Sequence, residues 1–262
     1  MKTNTFSSIS CDDNNSIVSD VLDGVQFDAF FSKKESKKLV IMFPGSIDRS
    51  KISPPVYQRW SWHNEICANI LSVNDPTLFL AEHLRIGWLL GTKDKDYTAL
   101  FCEFLNKCLR FIFPDVDELL FYGSSAGGFM AMQVASRYEG CKVLVNNCQT
   151  DVLKYRKKHV NDMLGVSFSG MSILDIQETY GERVSLIKRY ASSPMPRVIY
   201  MQNIADDFHM KNHFLPFINS FNNVSLGENT SLTIQLYRDD KTGHGPLSKD
   251  LSLAQLHELL SE

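Results

Sequence analysis

The sequence predicts an α/β fold with a mostly parallel central sheet, helices on both of its faces and one cap insertion. Three observations support this prediction. Predicted strands and helices alternate along most of the 262 residues, which is typical of a parallel sheet covered on both faces. Residues 39–43 are apolar at every position, as expected of a parallel strand buried on both faces. The pattern becomes irregular over residues 151–196, and we interpret this block as a cap inserted between two strands.

The N-terminal residues 1–20 differ in composition from the rest of the chain. They are rich in Asn, Asp and Ser, so we expect a polar arm there and one domain over residues 21–262. The predicted strands are 25–31, 39–43, 70–73, 118–122, 142–145, 198–201 and 232–237. The predicted helices are 57–71, 97–113, 127–138, a stretch that ends near 221, and 251–260. The helix over 97–113 has the clearest apolar face, and Pro114 ends it.

Composition and charge exclude several classes of protein. Hydrophobic residues make up 44% of the chain and charged residues 22%, which is typical of a globular rather than a disordered chain. The net charge of −3 gives no reason to bind nucleic acid or an anionic membrane. No apolar run approaches the roughly 20 residues that span a bilayer, and the N-terminus lacks the apolar stretch of a signal peptide. The six cysteines form no Cys-x-x-Cys pair, so we expect reduced thiols and a cytoplasmic protein.

The sharpest functional signal is the segment 123–128, Gly-Ser-Ser-Ala-Gly-Gly, which contains Gly-x-Ser-x-Gly centred on Ser125. It directly follows the predicted strand 118–122 and leads into the predicted helix 127–138. A strand–turn–helix of this kind holds a nucleophile on a tight turn, where larger flanking side chains would collide with the strand and the helix. The helix N-terminus also points N–H groups toward the same place. We therefore predict that Ser125 is a nucleophile.

A serine hydroxyl needs a base, and the base needs an acid that orients it. Three histidines follow the elbow in loop or helix-start positions: His209, His213 and His244. We prefer His244, because it lies between two glycines after the last predicted strand and can reach the carboxyl edge of the sheet. For the acid we prefer Asp206, which follows the predicted strand 198–201, and Asp207 is the alternative.

Acyl transfer also needs two N–H donors that stabilise the oxyanion of the intermediate. We expect one of them to be the backbone N–H of Ala126, which directly follows the nucleophile. The other should come from the loop after the strand 39–43, where Gly45 and Ser46 stand. Gly45 would let the backbone approach a bound carbonyl group closely.

These motifs resemble the α/β-hydrolase superfamily, in which nucleophile, acid and base occur in the order Ser, Asp, His. The chain is similar in particular to the serine-dependent O-acetyltransferases of bacterial capsule clusters, of the meningococcal serogroup A type. The resemblance extends over most of residues 39–250. It rests on 43–46 (FPGS), 75–78 (DPTL), 87–88 (GW), 123–128 (GSSAGG), 146–151 (NNCQTD), 202–206 (QNIAD) with His209 and His213, and 243–246 (GHGP).

The resemblance implies an O-acetyltransferase that works through an acyl-serine on Ser125. It implies acetyl-CoA as the co-substrate, with no bound cofactor, and a hydroxyl of a capsular or surface polysaccharide as the acceptor. An esterase with the same triad is the alternative enzyme, since the two differ only in whether water or a sugar reacts with the acyl-serine. A hydrolase-like protein without activity that binds a glycan or another partner is a further alternative.

Several side chains beside the predicted triad admit two interpretations. Asp206, His209 and His213 have helical spacing and could bind a metal. No glutamate accompanies them in a His-Glu-x-x-His pattern, so we expect no metal and interpret both histidines as support for the triad or contacts to the acceptor.

The predicted cap carries a basic cluster that includes Lys154, Lys157 and Lys158. These lysines form either a solvated helix face or a contact with the phosphates of coenzyme A or with an anionic glycan. Trp88 either stacks on a sugar or packs in the core.

Overall fold

The computed structural model describes residues 3–8, 14–223 and 230–262, and within these ranges nine strands form one sheet. The strands are β1 (Thr3–Asn4), β2 (Asn15–Leu22), β3 (Val25–Ser32), β4 (Lys38–Met42), β5 (Asn69–Val73), β6 (Glu118–Ser124), β7 (Lys142–Asn146), β8 (Arg197–Asn203) and β9 (Ser231–Tyr237). Their order across the sheet is β1-β2-β3-β5-β4-β6-β7-β8-β9. β3 runs antiparallel to both β2 and β5, and the other neighbouring pairs are parallel, which confirms the predicted mostly parallel sheet.

Short helices connect the strands. The α-helices are α1 (Tyr97–Phe111), α2 (Ala126–Ala135), α3 (Lys157–Ser167), α4 (Ile173–Thr179), α5 (Gly181–Val184), α6 (Leu186–Ser192), α7 (Asp207–His209), α8 (Leu215–Asn219) and α9 (Lys249–Ser261). A π-helical turn, Met210–Phe214, joins α7 to α8, and single 3-10 turns cover Phe6–Ser8, Trp60–Asn64, Pro76–Phe79, Val152–Lys154 and Ser220–Asn223. Among the described residues, none of these helices is both long and apolar enough to cross a membrane.

The two faces of the sheet build two hydrophobic cores, because successive side chains of a strand point to opposite faces. Ile41 and Val143 belong to the core that α1 and α2 cover. Their neighbours Val40 and Leu144 belong to the second core, where Leu256 of α9 packs against them. Helices therefore lie on both faces, as predicted, and the parallel strands direct their carboxyl ends to one edge.

Two predictions at the start of the chain are wrong. The predicted polar arm fails from residue 15 onward, because Asn15–Leu22 forms β2, which pairs along its whole length with β3. The predicted helix over 57–71 is limited to the 3-10 turn Trp60–Asn64, and Asn69–Val73 is β5. The apolar positions that suggested one helix face serve different elements, since Trp60 is 41% exposed while Ile70 is buried in β5.

The insertion between β7 and β8 lies where the sequence predicts it, but short helices rather than irregular chain fill it. Its last helix, α6, packs on α2, where the hydroxyl of the buried Tyr190 donates to the carbonyl of Met132 at 2.6 Å. The end of the insertion therefore belongs to the hydrophobic core that α1 and α2 cover. Its first part, around Tyr155, contacts the side chains at the carboxyl edge.

The cysteines within the described ranges are all free thiols. Cys102, Cys108, Cys141 and Cys148 are buried, and burial raises the pKa of each of these thiols. Cys11 lies outside the described residues.

Candidate active site

Ser125 lies on a strained turn between β6 and α2. Its backbone angles, φ 55° and ψ −120°, are rare for a residue with a side chain. A Cβ atom on Gly123 would lie 2.2 Å from the backbone of Gly127, and one on Gly127 would lie 2.6 Å from the carbonyl oxygen of Phe43. Glycine is therefore required at both positions, for the steric reason that the sequence pattern suggested.

The structure brings together Ser125, His244 and Asp206, the three residues predicted to form the site. Nε2 of His244 lies 2.9 Å from Oγ of Ser125, and Nδ1 of the same ring lies 2.7 Å from Oδ2 of Asp206. Asp206 is buried, whereas the side chain of the alternative, Asp207, is 84% exposed and pairs with Lys211. The geometry thus favours Asp206 over Asp207 as the partner of His244.

Asp206 is also held by His209. The backbone N–H of His209 donates to Oδ1 at 3.2 Å, and Nδ1 of its ring lies 2.9 Å from Oδ2. Burial alone would raise the pKa of the Asp206 carboxyl, but the contacts with His209 and His244 outweigh it and hold the pKa far below its usual value. Asp206 is therefore ionised throughout the pH range in which the protein would work.

His209 and His213 lie behind the site and not in its opening. Both are fully buried, so the predicted direct contact with an acceptor is wrong for both in this structure. Burial lowers the pKa of His209, and it lowers the pKa of His213 to about 3, with the nearby His209 and His244 adding to the effect. Both imidazoles are therefore neutral. Tyr155 covers them, with its ring centroid 5.8 Å from that of His209 and 6.2 Å from that of His213.

Gln149 is a residue of the site that sequence reasoning missed. Its Nε2 donates to Oγ of Ser125 at 3.0 Å, so the hydroxyl contacts both a base and an amide. Its Oε1 accepts a hydrogen bond from Nε1 of Trp88 at 2.5 Å, which fixes the orientation of the amide. Trp88 is fully buried, so its ring packs in the core and cannot stack on a sugar.

Asp75 holds the segment that carries Trp88. Its carboxylate accepts backbone N–H groups from Thr77 at 2.9 Å and from Leu89 at 3.2 Å. Burial raises the pKa of Asp75 to about 6, although these hydrogen bonds oppose the shift. The segments 75–78 and 87–88 thus form one support for Gln149.

Three buried asparagines fix the loop that carries His244. Nδ2 of Asn147 donates to the carbonyl of Gly245 at 3.0 Å, and Nδ2 of Asn203 donates to that of Gly243 at 2.8 Å. Oδ1 of Asn146 accepts the backbone N–H of Leu247 at 3.0 Å. Asparagines stand at the ends of β7 and β8. Their amide groups suit this role, because each can donate to a free carbonyl or accept from a free N–H group of the loop.

The N–H groups expected to stabilise the oxyanion differ in whether they are free to bind a substrate. Ala126 is the first residue of α2, so its N–H has no partner within the helix and lies next to Ser125. The N–H of Gly45 instead donates to Oε1 of Gln58 at 2.9 Å, so it is not free in this structure. Ser46, the next residue, is exposed beside it. Of the two predicted loop donors, Ser46 is therefore the better placed to meet a substrate.

Arg59 is the second residue that the sequence did not reveal. Its Nη2 donates to Oγ of Ser124 at 2.7 Å, and the guanidinium lies over the rings of Trp62 and Tyr122 at 5.5 Å and 5.3 Å. Within the part of the chain that the structure describes, its buried Nη1 has no hydrogen-bond partner. A fixed positive charge thus lies one residue from Ser125. The segment 57–71, read as a helix, gave no signal for it.

The basic cluster is exposed, as both of its interpretations require, whereas the acid–histidine cluster has a different composition from the one expected. Lys154, Lys157 and Lys158 are all exposed and lie on both sides of Tyr155 along the chain. Among the residues that the structure describes, Asp206, His209 and His244 bring potential metal-ligand atoms within 4.8 Å of one another. His244 therefore takes the place expected for His213. The same atoms of Asp206 and His244 already bond to each other.

Comparison with known proteins gives structural but no sequence matches. A scan against protein-family models finds no match, and a search of curated proteins finds none either. The capsule O-acetyltransferase of Neisseria meningitidis serogroup A, determined as a mutant in complex with CoA, is similar with a TM-score of 0.62 at 15% identity. The match covers 92% of this chain and 95% of that one.

Two further solved structures share the architecture over part of their length. The Glycosylation Associate Protein (Gap123) complex from Streptococcus agalactiae matches with a TM-score of 0.64 at 14% identity, over 94% of this chain and 46% of that one. The acylaminoacyl peptidase of Pyrococcus horikoshii matches with a TM-score of 0.62 at 10% identity, over 94% and 40%. The parallel sheet, the serine turn and these neighbours agree: the chain has the α/β-hydrolase fold.

Proposed function

We propose that this protein is a serine-dependent O-acetyltransferase that moves an acetyl group from acetyl-CoA to a hydroxyl of a saccharide. The observation that carries the proposal is the position of His244, whose ring spans from Oγ of Ser125 to Oδ2 of Asp206 at 2.9 Å and 2.7 Å. This arrangement activates a serine toward a carbonyl carbon. Neighbours of the acyltransferase and hydrolase type support an enzyme of this kind.

In the first half-reaction, Oγ of Ser125 attacks the thioester carbonyl while Nε2 of His244 takes the hydroxyl proton. The ionised Asp206 stabilises the imidazolium that forms. The tetrahedral intermediate then collapses, the carbon–sulfur bond breaks, and the coenzyme A thiolate leaves and takes the proton from His244. An acetyl ester on Ser125 remains.

In the second half-reaction, a sugar hydroxyl attacks the acetyl-serine. His244, neutral again, accepts the proton of that hydroxyl and later returns it to Oγ of Ser125. Because the same base works in both directions, no further titrating group is needed. The products are the acetylated saccharide and the free serine.

Charge that develops at the site has three sources of stabilisation. We assign the N–H groups of Ala126 and Ser46 to the oxyanion, with the N-terminus of α2 behind Ala126. Nε2 of Gln149 donates to Oγ of Ser125, and this bond strengthens as the oxygen gains negative charge. The guanidinium of Arg59, held on Ser124, adds a positive potential beside the nucleophile.

Acetyl-CoA as the donor is supported by the CoA complex of the meningococcal neighbour. The exposed Lys154, Lys157 and Lys158 offer positive charge to the coenzyme's phosphates near the covering Tyr155. A capsular or surface polysaccharide is the acceptor we propose, acetylated in the cytoplasm, where acetyl-CoA is available. The neighbours named for a capsule and for glycosylation support a saccharide acceptor.

An esterase is the second candidate, because an acylaminoacyl peptidase, a hydrolase by its name, shares the same fold. The two candidates separate in the second half-reaction. The deciding assay follows thiol release from acetyl-CoA with and without capsule-type oligosaccharides, and the mass of each oligosaccharide. A transferase releases thiol faster when the correct saccharide is present, and that saccharide gains acetyl. Rapid hydrolysis of acetyl esters with no transfer to any saccharide would establish the esterase instead, and inertness toward all of these substrates would leave a binding protein.

A further inference from the structure

The loop that follows β4 packs directly against the turn that carries Ser125. A Cβ atom on Gly45 would lie 3.7 Å from the carbonyl oxygen of Ser124. One on Gly127, at the start of α2, would lie 2.6 Å from the carbonyl oxygen of Phe43. The two segments that supply the expected oxyanion donors are therefore neighbours. Their relative position decides whether two N–H groups can meet one oxygen atom, because a hydrogen bond tolerates only a narrow range of distance and angle.

Hydrogen bonds fix this loop on both sides of the peptide group that joins Gly45 to Ser46. On one side, the N–H of Gly45 donates to Oε1 of Gln58 at 2.9 Å, and Nε2 of the same amide donates to the carbonyl of Ser46 at 3.4 Å. On the other side, the N–H of Ile47 donates to the carbonyl of Arg85, and Nε of Arg85 donates to the carbonyl of Ile47, both at 2.9 Å. In the part of the chain that the structure describes, the N–H of Ser46 itself has no partner. The loop thus leaves one N–H group free and holds the peptide groups on both sides of it.

Gln58 is itself fixed, both on the sheet and on the nucleophile turn. Its backbone carbonyl accepts a hydrogen bond from Oγ of the buried Ser72, in β5, at 2.8 Å. The next residue, Arg59, donates to Oγ of Ser124 at 2.7 Å. Arg59 has a φ of 65°, which is uncommon for a residue with a side chain and persists only where the surrounding contacts require it. Two adjacent side chains therefore connect two segments, since one bonds to the loop after β4 and the other to the nucleophile turn.

We propose that Gln58 is a positioning residue that, together with Arg59, sets the spacing between two oxyanion donors. These donors are the N–H groups of Ser46 and Ala126, so the role of Gln58 depends on the proposed acyl transfer at Ser125. Gln58 acts through the peptide group of Ser46 and not on the reacting atoms. An oxyanion site that is ordered before the substrate binds needs no rearrangement as negative charge forms, and this lowers the barrier to reaction. Loss of the Gln58 amide should therefore slow the acylation of Ser125 without weakening the binding of the substrate.

The test uses Gln58→Met, which keeps the length of the side chain and replaces its amide with a thioether. p-Nitrophenyl acetate acylates an activated serine whether the enzyme is a transferase or an esterase, and p-nitrophenol release in a single turnover measures that step. We expect Gln58→Met to slow this release by about tenfold, less than the roughly 10²–10³-fold cost of removing a donor outright. Tyr57→Phe, in the same segment, is the control, because its hydroxyl takes no part in the bonds that hold the loop. It should leave the rate of release within about twofold.

Methylboronic acid separates a positioning role of Gln58 from a structural one. It adds to an activated serine hydroxyl and forms a tetrahedral anion that resembles the acetyl intermediate. In NMR spectra of the natural chain, the amide proton of Ser46 should shift downfield when this adduct forms, because it gains a hydrogen bond. The affinity of Gln58→Met for the boronate should fall by at least about tenfold, in parallel with the rate. If Gln58 only stabilised the fold, Gln58→Met would unfold at a lower temperature but, while folded, would bind the boronate as tightly as the natural chain.

The outcomes distinguish a failure of this role from a failure of the proposed function. A natural chain that releases p-nitrophenol no faster than Ser125→Ala would contradict the proposed function, and the role of Gln58 with it. Release by the natural chain at the same rate as by Gln58→Met, or an unshifted Ser46 amide in the boronate adduct, would overturn the positioning role alone. Slower release and weaker boronate binding by Gln58→Met, with a shifted Ser46 amide in the natural chain, would support it.

Discussion

The imidazole rings of His209 and His244 lie parallel, 3.7 Å apart between centroids, and both rings contact Oδ2 of Asp206. Only His244 reaches Ser125. His209 is fully buried and neutral, because burial lowers its pKa, so it can fix the carboxylate without placing a second positive charge beside His244. The stacked pair thus divides two tasks between two rings: one moves a proton, and the other holds the acid in place.

Ser125→Ala should abolish turnover, since no other hydroxyl lies within bonding distance of His244 among the described residues. By analogy with serine triads, we expect a loss of roughly 10⁶-fold in kcat, with the unfolding midpoint nearly unchanged. Ser124→Ala is the comparison variant and should cost far less, because this hydroxyl contacts Arg59 and not His244. Acetyl transfer rates of both variants check the prediction, and near-normal turnover by Ser125→Ala would overturn the mechanism.

Asp206→Asn should lower kcat by about 10⁴-fold, because an amide at this position holds the imidazole in the wrong tautomer. The neighbouring Asp207→Asn removes an equal charge from an exposed side chain and should leave kcat within about twofold, as is usual for surface positions. Steady-state kinetics of the two variants measure the difference. Equal losses in both would show that charge at this turn matters and not the contact with His244.

Gln149→Leu should lower kcat by about 10²-fold, the usual effect of losing one preorganised donor at the reacting oxygen. Trp88→Phe keeps the buried ring but removes the N–H that orients the Gln149 amide, so its effect should be smaller and in the same direction. If Gln149 acted only in packing, Gln149→Leu would change the unfolding midpoint and leave kcat unaltered.

The buried His213 predicts a specific dependence of stability on pH. Its pKa is about 3 in the folded chain, against 6.5 as the ordinary value, so below pH 6.5 the unfolded chain binds a proton that the folded chain does not. The stability from this residue is fully present above pH 6.5 and is lost as the pH falls toward 3, by about 1.4 kcal/mol per pH unit.

His213→Asn tests this dependence, because the amide oxygen can replace Nδ1 as acceptor for the N–H of Thr150 and does not titrate. Urea unfolding at pH 7.5, 6.5 and 5.5 gives the free energy of unfolding of both proteins. We expect the natural chain to lose more stability than the variant between pH 6.5 and 5.5. Parallel curves for the two proteins would contradict the assigned protonation state.

Charge reversal of the exposed Lys157 and Lys158 to Glu should raise the KM for acetyl-CoA and change kcat little. The effect should grow at low salt, where screening is weak. Lys37→Glu is the control, since Lys37 is 75% exposed and precedes β4, at the edge of the sheet opposite the site. A KM that is insensitive to Lys157 and Lys158 at every ionic strength would remove these lysines from the donor site.

The parts of the fold that the sequence predicted well are those with one strong local cause. Residues 39–43 are apolar throughout, and the structure places β4 at Lys38–Met42 in the buried middle of the sheet. The helix predicted over 97–113 became α1, since Asp96 caps its first turn and Pro114 follows it. The turn at Ser125 could be predicted because the strand–turn–helix requires glycine at positions 123 and 127, where any side chain would collide with the backbone.

The errors came from positions whose role depends on distant partners. The polar composition of residues 1–20 hides a strand in Asn15–Leu22, half of whose residues are Ile, Val or Leu and which pairs along its whole length with β3. Trp88 carries no local sign that its N–H will meet Gln149, which lies 61 residues further along the chain. Arg59 reaches Ser124 across 65 residues, within a segment whose apolar spacing imitates a helix. A local sequence pattern cannot indicate such contacts, because they form only when the folded sheet brings distant segments together.

The intact mass of the protein after exposure to acetyl-CoA without any acceptor tests the central claim most directly. The account predicts that the natural chain gains the mass of one acetyl group, that the modified peptide contains Ser125, and that Ser125→Ala gains none. Added saccharide acceptor should then remove the acetyl group from the protein and release the free enzyme. An unmodified natural chain that also releases no thiol from acetyl-CoA, or an acetyl group that persists on Ser125→Ala, would contradict the account.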